Sequence, residues 1–187
     1  MGKRISDRLR RLTTGWVTLA ARLIFLLFTA LVLPQQATQA EEETGSAASP
    51  DTSFFYTPGD LYRMAESYGT EGRQAYVRAR FTFDLVWPLV YTFFLVTAIS
   101  WVFRAFAPDS RWQLANLAPL LGALFDYLEN VSTSLVMLRY PAPTPGLDLL
   151  APVFTALKWG TLGVSFALLL GGCAVAAWRW TRQRFRG

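Results

Sequence analysis

Three long hydrophobic runs, separated by short polar segments, dominate the second half of the chain: residues 81–103, 114–138 and 149–178. Each run reaches the ~20 residues that a helix needs to cross a hydrocarbon core. Backbone groups in lipid must pair within helices or closed barrels, and these runs lack the alternation of barrel strands. The pattern predicts an all-α polytopic transmembrane bundle, with four helices once the N-terminal hydrophobic segment is counted.

The N-terminal segment is shorter, and two interpretations of it remain open. Arg22 divides the segment and leaves residues 23–33 as its hydrophobic core before Pro34. The small residues at 37–40 then resemble the end of a secretory signal peptide that is cleaved after Ala40. Cleavage there would leave a mature protein with three transmembrane helices.

We favour the other interpretation, in which the first helix is retained as an anchor. Residues 16–21 lengthen the segment to a full span, with the Arg22 side chain reaching toward the interface. Thr38 also stands three residues before the cleavage point, where the signal pattern has alanine. The first unit of the chain is therefore residues 1–34, a basic N-terminus followed by a transmembrane helix or a signal peptide.

The remaining chain divides into three units. Residues 35–55 are rich in Gln, Glu, Ser, Thr and Ala without hydrophobic periodicity, which predicts a flexible linker. Residues 56–80 contain a helix start at Thr57 and a stop at Gly69, which predicts a short extracytoplasmic helical hairpin between helices 1 and 2. Residues 81–187 form a core of three transmembrane helices with a basic tail.

Basic residues stand at the ends of the hydrophobic runs. They are Lys3, Arg4, Arg8, Arg10, Arg11, Arg104, Arg111, Arg179, Arg182, Arg184 and Arg186. The positive-inside rule then predicts a multi-pass membrane protein with cytoplasmic N- and C-termini. We attribute the net charge of +5 to this topology. We therefore expect membrane lipids, and other membrane protein subunits, as partners and no nucleic acid.

Composition restricts the chemistry. The chain has one cysteine, Cys173, and no histidine, so it cannot form an internal disulfide and lacks the commonest metal ligand. No nucleotide-binding loop or nucleophile triad is present in the sequence. We expect neither a metal nor a cofactor.

Polar residues within the hydrophobic runs are the candidate site. Asp126, Glu129 and Asn130 lie on one face of the third helix, where an ionisable group costs roughly 2.5 to 3.5 kcal/mol. Lys158 on the fourth helix lies at the same predicted depth as Glu129, which predicts an ion pair between them. Asp126 has no evident partner in its own layer, so it is protonated, hydrogen-bonded or reached by an arginine or water from above.

Two arginines of the external segment, Arg73 and Arg80, precede Asp84 on the second helix. One interpretation places the hairpin on the lipid head groups, with these arginines on phosphates. The other folds an arginine over the mouth of the bundle to pair with Asp84 or the deeper carboxylates. The candidate catalytic residues are Asp126 and Glu129, and the candidate binding residues are Asn130, Lys158, Asp84, Arg73, Arg80 and Tyr91.

Several short motifs occur together between Tyr56 and Trp159. They are Tyr56-Thr57-Pro58, Gly69-Thr70-Glu71-Gly72-Arg73, Asp84 with Pro88 and Tyr91, Asp126-Tyr127-Leu128-Glu129-Asn130, and Leu157-Lys158-Trp159. In this combination the chain resembles a group of uncharacterised bacterial four-helix integral membrane proteins. The resemblance implies a protein of the bacterial inner membrane with the four-helix architecture and a short external helical segment, and it assigns no activity to any residue.

The functional prediction is a non-enzymatic membrane protein, either an accessory subunit or a small lipid-binding protein, in which the polar cluster holds the bundle together. Two alternatives use the same carboxylates. The first is an intramembrane enzyme in which Asp126 and Glu129 perform acid/base chemistry on a lipophilic substrate. The second is a small transporter.

Overall fold

The computed structural model describes residues 1–45, 49–106 and 111–184. The described residues form helices, turns and irregular segments, and no strand occurs among them. The α-helices are α1 (Gly2–Leu12), α2 (Gly15–Leu27), α3 (Leu33–Thr44), α4 (Pro58–Ser67), α5 (Gly69–Arg80), α6 (Phe83–Phe106), α7 (Ala118–Arg139) and α8 (Leu147–Arg184). The predicted all-α class is confirmed.

Three continuous helices are long and apolar enough to cross a membrane: Gly15–Thr44, Gly69–Arg104 and Leu147–Gln183. The chain is therefore a helical membrane protein by length and composition. The third predicted run corresponds to α7, which has 22 residues, or ~33 Å of helix. Asp126, Glu129 and Asn130 interrupt its apolar sequence, and α7 is not among the three helices named above.

Helices α6, α7 and α8 form the centre of the bundle, with the largest contact between α7 and α8. Close approach of this pair depends on Gly122, where an added Cβ would lie 3.3 Å from Leu162 of α8. Leu95 and Ile99 of α6 are fully buried and pack toward Leu162. Because a small residue lets two backbones come close, polar side chains of α7 reach directly into α8.

The first helix is longer than predicted, because residues 35–44, the start of the predicted linker at 35–55, are helical. Helix α2 continues through a π-helical turn, Phe28–Val32, into α3, so Pro34 does not end it. The wider turn accommodates the missing N–H and the ring of Pro34. Helix α3 then packs against α5, where a Cβ on Gly72 would lie 3.2 Å from the Thr44 Cα. Tertiary packing therefore orders a segment whose own pattern predicts no structure.

Helix α1 covers one end of the bundle. The Ser6 hydroxyl donates to the Gln113 carbonyl at 2.8 Å, and the Asn116 amide donates to the Ser6 carbonyl at 3.3 Å and to the Ser100 hydroxyl at 2.9 Å. Arg104 donates to the Thr13 carbonyl at 3.0 Å. These bonds place the N-terminus, the Arg111–Leu117 3₁₀-helix and the end of α6 together.

Helices α4 and α5 cover the opposite end. Thr57 and Asp60 form a capping box at the start of α4, and Gly69 turns the chain into α5 with a φ of 63°. Leu61 of α4 is fully buried against Met137 near the end of α7. The hydrophobic face of the hairpin therefore packs onto the ends of α7 and α8.

Candidate functional site

The structure forms the predicted ion pair between α7 and α8. Lys158 Nζ lies 2.5 Å from Glu129 Oε2, and both residues are buried, at 4% and 0% exposure. The Thr155 hydroxyl, one turn before Lys158, donates to Glu129 Oε1 at 2.7 Å and lies 3.1 Å from the Tyr56 hydroxyl. Both carboxylate oxygens are therefore engaged, as a charge in a low-dielectric interior requires.

Asp126 lies one turn before Glu129 on α7, and its hydrogen-bond partner is a different residue. The Tyr91 hydroxyl of α6 donates to Asp126 Oδ2 at 2.9 Å. The other oxygen, Oδ1, lies 3.9 Å from Lys158 Nζ, which is too far for a hydrogen bond. The sequence leaves several partners open for Asp126. In the structure it is hydrogen-bonded to a neighbouring side chain, that of Tyr91.

A second ionic group, formed by Arg80, Asp51 and Asp84, lies at the end of the bundle that α4 and α5 cover. Arg80 Nη1 lies 2.5 Å from Asp51 Oδ1 and 2.8 Å from Asp84 Oδ2, and the Arg80 guanidinium stacks over the Tyr76 ring at 4.5 Å. Arg80 is therefore the arginine that pairs with Asp84, as the second interpretation of the external arginines expects. Desolvation alone would raise the pKa of Asp51, but the Arg80 and Lys158 charges outweigh it, and the pKa is lowered.

Two predicted binding residues lie outside this arrangement. Arg73 donates to the Ala65 carbonyl at 2.9 Å and stacks over Tyr140 at 4.8 Å, so it holds the α4–α5 corner and does not reach the carboxylates. Asn130 is buried at 3% exposure, and among the described residues no partner lies within hydrogen-bonding reach of its amide atoms. Its spacing from Asp126 places it on the helix face as predicted but away from the cavity described next.

Both ionic groups face one cavity of about 490 Å³ between α3, α5, α6 and α8. Its charged lining includes Asp51, Arg80, Asp84, Asp126 and Lys158, and its apolar lining includes Leu33, Phe54, Phe83, Trp87, Trp159 and Leu162. Phe54 lines the cavity and is 73% exposed, so the cavity reaches the surface at this residue. The volume is typical of pockets that bind small molecules, and the mixture of charge and hydrocarbon is suited to an amphiphilic one.

Three contributors to this site were not predicted. Asp51 falls in the segment read as a linker, and no local pattern connects it with Arg80. Leu33 and Ala40 of helix α3 line the cavity wall, and no local pattern predicted their contribution either. Thr155 could have been found, because it lies three residues before Lys158 and shares its helix face.

No group of three or more His, Cys, Asp or Glu side chains in the described part of the chain is arranged to hold a metal ion. In comparisons with known proteins, the chain matches no family model, no curated protein and no solved structure. The resemblance to a bacterial membrane protein group therefore stays a prediction. Fold and site together define an all-helical membrane protein with a charged cavity among its helices.

Proposed function

We propose that this protein binds a lipid-like amphiphile, with the polar head in the charged end of the cavity and the tail along its apolar wall. The observation that carries the proposal is the cavity itself, because buried charges of Arg80 and Asp84 share one space with Phe83 and Trp87. Polar groups among hydrophobic walls fix the orientation of a bound ligand. Of the two non-enzymatic roles considered for this chain, the cavity favours lipid binding over an accessory subunit.

Filling the cavity should remove this binding. Ala79 lines the cavity, and we expect Ala79→Phe to occupy the space of the ligand. Protein purified from native membranes in a mild detergent would be extracted, and its bound amphiphiles quantified per protein by mass spectrometry. We expect about one tightly held molecule for the wild type and a loss of at least ~10-fold in Ala79→Phe, as removal of ~1.4 kcal/mol of binding would give.

Ala167→Phe is the matched control. Ala167 is exposed on α8, outside the cavity, so the same added ring should face lipid and leave bound amphiphile unchanged. Equal amounts in the wild type and both variants would mean that the recovered molecules are only annular lipid, and the proposal would be wrong.

A specific observation supports the enzymatic alternative as a second candidate. Asp126 lines the cavity and accepts a hydrogen bond from Tyr91, so a carboxyl group capable of proton transfer faces the bound molecule. The same mass spectrometry tests it. A molecule recovered from the wild type that differs by a chemical conversion from the one recovered from Asp126→Asn would favour an enzyme.

We also propose that α7 is a fourth crossing and that both termini face the cytoplasm of a bacterial inner membrane. Packing of α1 beside the Arg111–Leu117 segment supports a common side for the N-terminus and the basic loop. The packing of α3 against α5 supports a first helix that is retained, since cleavage after Ala40 would remove part of the cavity wall.

Cysteine labelling tests this topology. In a Cys173→Ala background, Ala142→Cys in the turn between α7 and α8 should react with an impermeant maleimide on intact spheroplasts. Thr181→Cys near the end of α8 should react only after permeabilisation, because the C-terminal arginines hold that end inside. The reverse labelling pattern would contradict the proposed orientation.

A further inference from the structure

The charges around the cavity are unbalanced, and the imbalance indicates a class of head group. Besides the exposed Glu41 and Glu43 of the cavity lining, there are six buried or partly buried charged groups: Asp51, Asp84, Asp126 and Glu129 with Arg80 and Lys158. When all are ionised, two negative charges are uncompensated. Uncompensated charge in a low-dielectric interior is costly, so either protons or a bound cation must balance it.

Both cations are already engaged. Arg80 holds Asp51 and Asp84 within 2.8 Å, and Lys158 holds Glu129 at 2.5 Å. A phosphate or carboxylate head group would have to replace a protein carboxylate at one of these cations while approaching the others. The arrangement therefore disfavours an anionic ligand.

Asp126 has the carboxylate oxygen that is suited to a ligand. The residue is buried at 7% exposure and lines the cavity, and Tyr91 engages only Oδ2. Oδ1 lies 3.9 Å from Lys158 Nζ, so no hydrogen bond joins these two atoms. An ammonium group in the cavity could donate to Oδ1 at hydrogen-bonding distance, which would give a charge-assisted contact with a buried carboxylate.

Aromatic rings provide the rest of a cation site. Trp87 and Trp159 line the cavity, and Trp87 packs edge-on against Tyr91 at 5.7 Å. Trp159 already contacts a cation, because Lys158 Nζ lies 5.5 Å from the centre of its ring, and Phe54 packs against the same indole at 5.0 Å. A cation is attracted to an indole face, and the attraction is stronger when both are desolvated.

We propose that the cavity binds an amphiphile with a cationic amine head group, which contacts Asp126 Oδ1 and the Trp87–Trp159 wall while its tail follows Leu33 and Leu162. This inference rests on the proposed function and specifies its ligand. It predicts selection by head-group charge among molecules with the same tail.

Three probes with one dodecyl chain separate the possibilities: dodecylamine, dodecanol and dodecyl phosphate. Native mass spectrometry of the full chain released from maltoside micelles would count bound probes during a titration. We expect dodecylamine to bind about tenfold more tightly than dodecanol, as one desolvated cation–π or ionic contact would give. Dodecyl phosphate should bind more weakly than dodecanol.

Two variants locate the selectivity. Asp126→Asn should reduce the preference for dodecylamine over dodecanol to near unity, whereas Ala79→Phe should abolish binding of all three probes. A tenfold preference that persists in Asp126→Asn would overturn the role of that carboxylate. The comparison of the three probes on the wild type does not depend on a variant, so it tests the inference even if Asp126→Asn does not fold.

The outcomes also separate this inference from the function on which it rests. Equal affinity of the wild type for the three probes would overturn the cationic head group, because protons would then balance the carboxylates, and would leave amphiphile binding intact. Failure of every probe to bind would overturn both. A preference that survives in Ala79→Phe would show adsorption outside the cavity and would also overturn the inference.

Discussion

Replacing Glu129 by Gln or Lys158 by Met should sharply reduce the amount of folded protein, and the double change should restore much of it. Each single change leaves one buried charge without its partner, which costs on the order of 3 to 5 kcal/mol in soluble proteins. Glu129 and Lys158 are almost fully buried and 2.5 Å apart, so water cannot replace the lost contact. Monodisperse yield and thermal unfolding in detergent, analysed as a double-mutant cycle, measure the coupling.

The structure adds an asymmetry to this cycle. Lys158 also lies 3.9 Å from Asp126, so Lys158→Met should be the more severe single change and the double variant should not recover fully. Asp126→Asn should be mild, because an amide oxygen can still accept the Tyr91 hydroxyl. Glu71→Gln and Lys3→Met, both at exposed positions, are the matched controls. A double variant no better than the worse single variant would contradict a stabilising pair.

The ion pair was within reach of sequence reasoning because depth in a membrane is a one-dimensional quantity. Once helix ends are assumed, a rise of ~1.5 Å per residue places Glu129 and Lys158 in the same layer. Two unpaired charges in one hydrocarbon layer have few alternatives to each other. Arg80 and Asp84 are similarly local, since residues four apart on a helix face each other.

The contribution of the segment before α4 could not be predicted, because its order comes from distant contacts. The polar pattern of residues 35–55 lacks a hydrophobic face, yet Thr44 is 7% exposed where α3 crosses α5 at Gly72. Asp51 then meets Arg80, 29 positions later in the chain. Neither contact leaves a periodic signature, so composition favoured a linker while tertiary packing determined the result.

The same limitation applies to the packing of the α4–α5 hairpin. Arginines and aromatic residues next to a membrane are typical of an interfacial helix, and the pattern of α4 and α5 is compatible with that location. What decides between the head groups and the bundle is whether an apolar surface is available underneath. Met137 and Ala151, at the ends of α7 and α8, provide it for Leu61, and this is a property of the assembled bundle.

Removing the charge of Arg80 should have the second large effect. Arg80→Gln leaves Asp51 and Asp84 without their shared cation and close enough to repel each other. We expect a loss of about 3 to 5 kcal/mol, by the cost of breaking a buried pair. The Arg80 side chain is only 8% exposed, so solvent offers little compensation. Thermal unfolding in a neutral detergent is the measurement.

Two other arginines of α5 provide controls for this prediction. Arg78→Gln removes an exposed charge and should change stability little, while Arg73→Gln should have a smaller effect than Arg80→Gln, through the lost bond to the Ala65 carbonyl. Asp84→Asn combined with Arg80→Gln should recover part of the loss, since one of the two unpaired carboxylates is then removed.

The pH dependence of Arg80→Gln follows from the lowered pKa of Asp51. A carboxyl group whose pKa is lowered by folding stabilises the protein above its unfolded pKa, here about 3.8, and loses that contribution as the pH falls through the folded value. In Arg80→Gln the cation that lowers this pKa is absent, so the wild type should lose its advantage as Asp51 becomes protonated. We therefore expect a large difference in unfolding temperature near pH 7 that narrows below pH ~4. Equal unfolding temperatures of the wild type and Arg80→Gln at pH 7 would show that the Arg80 group does not hold this end of the bundle together.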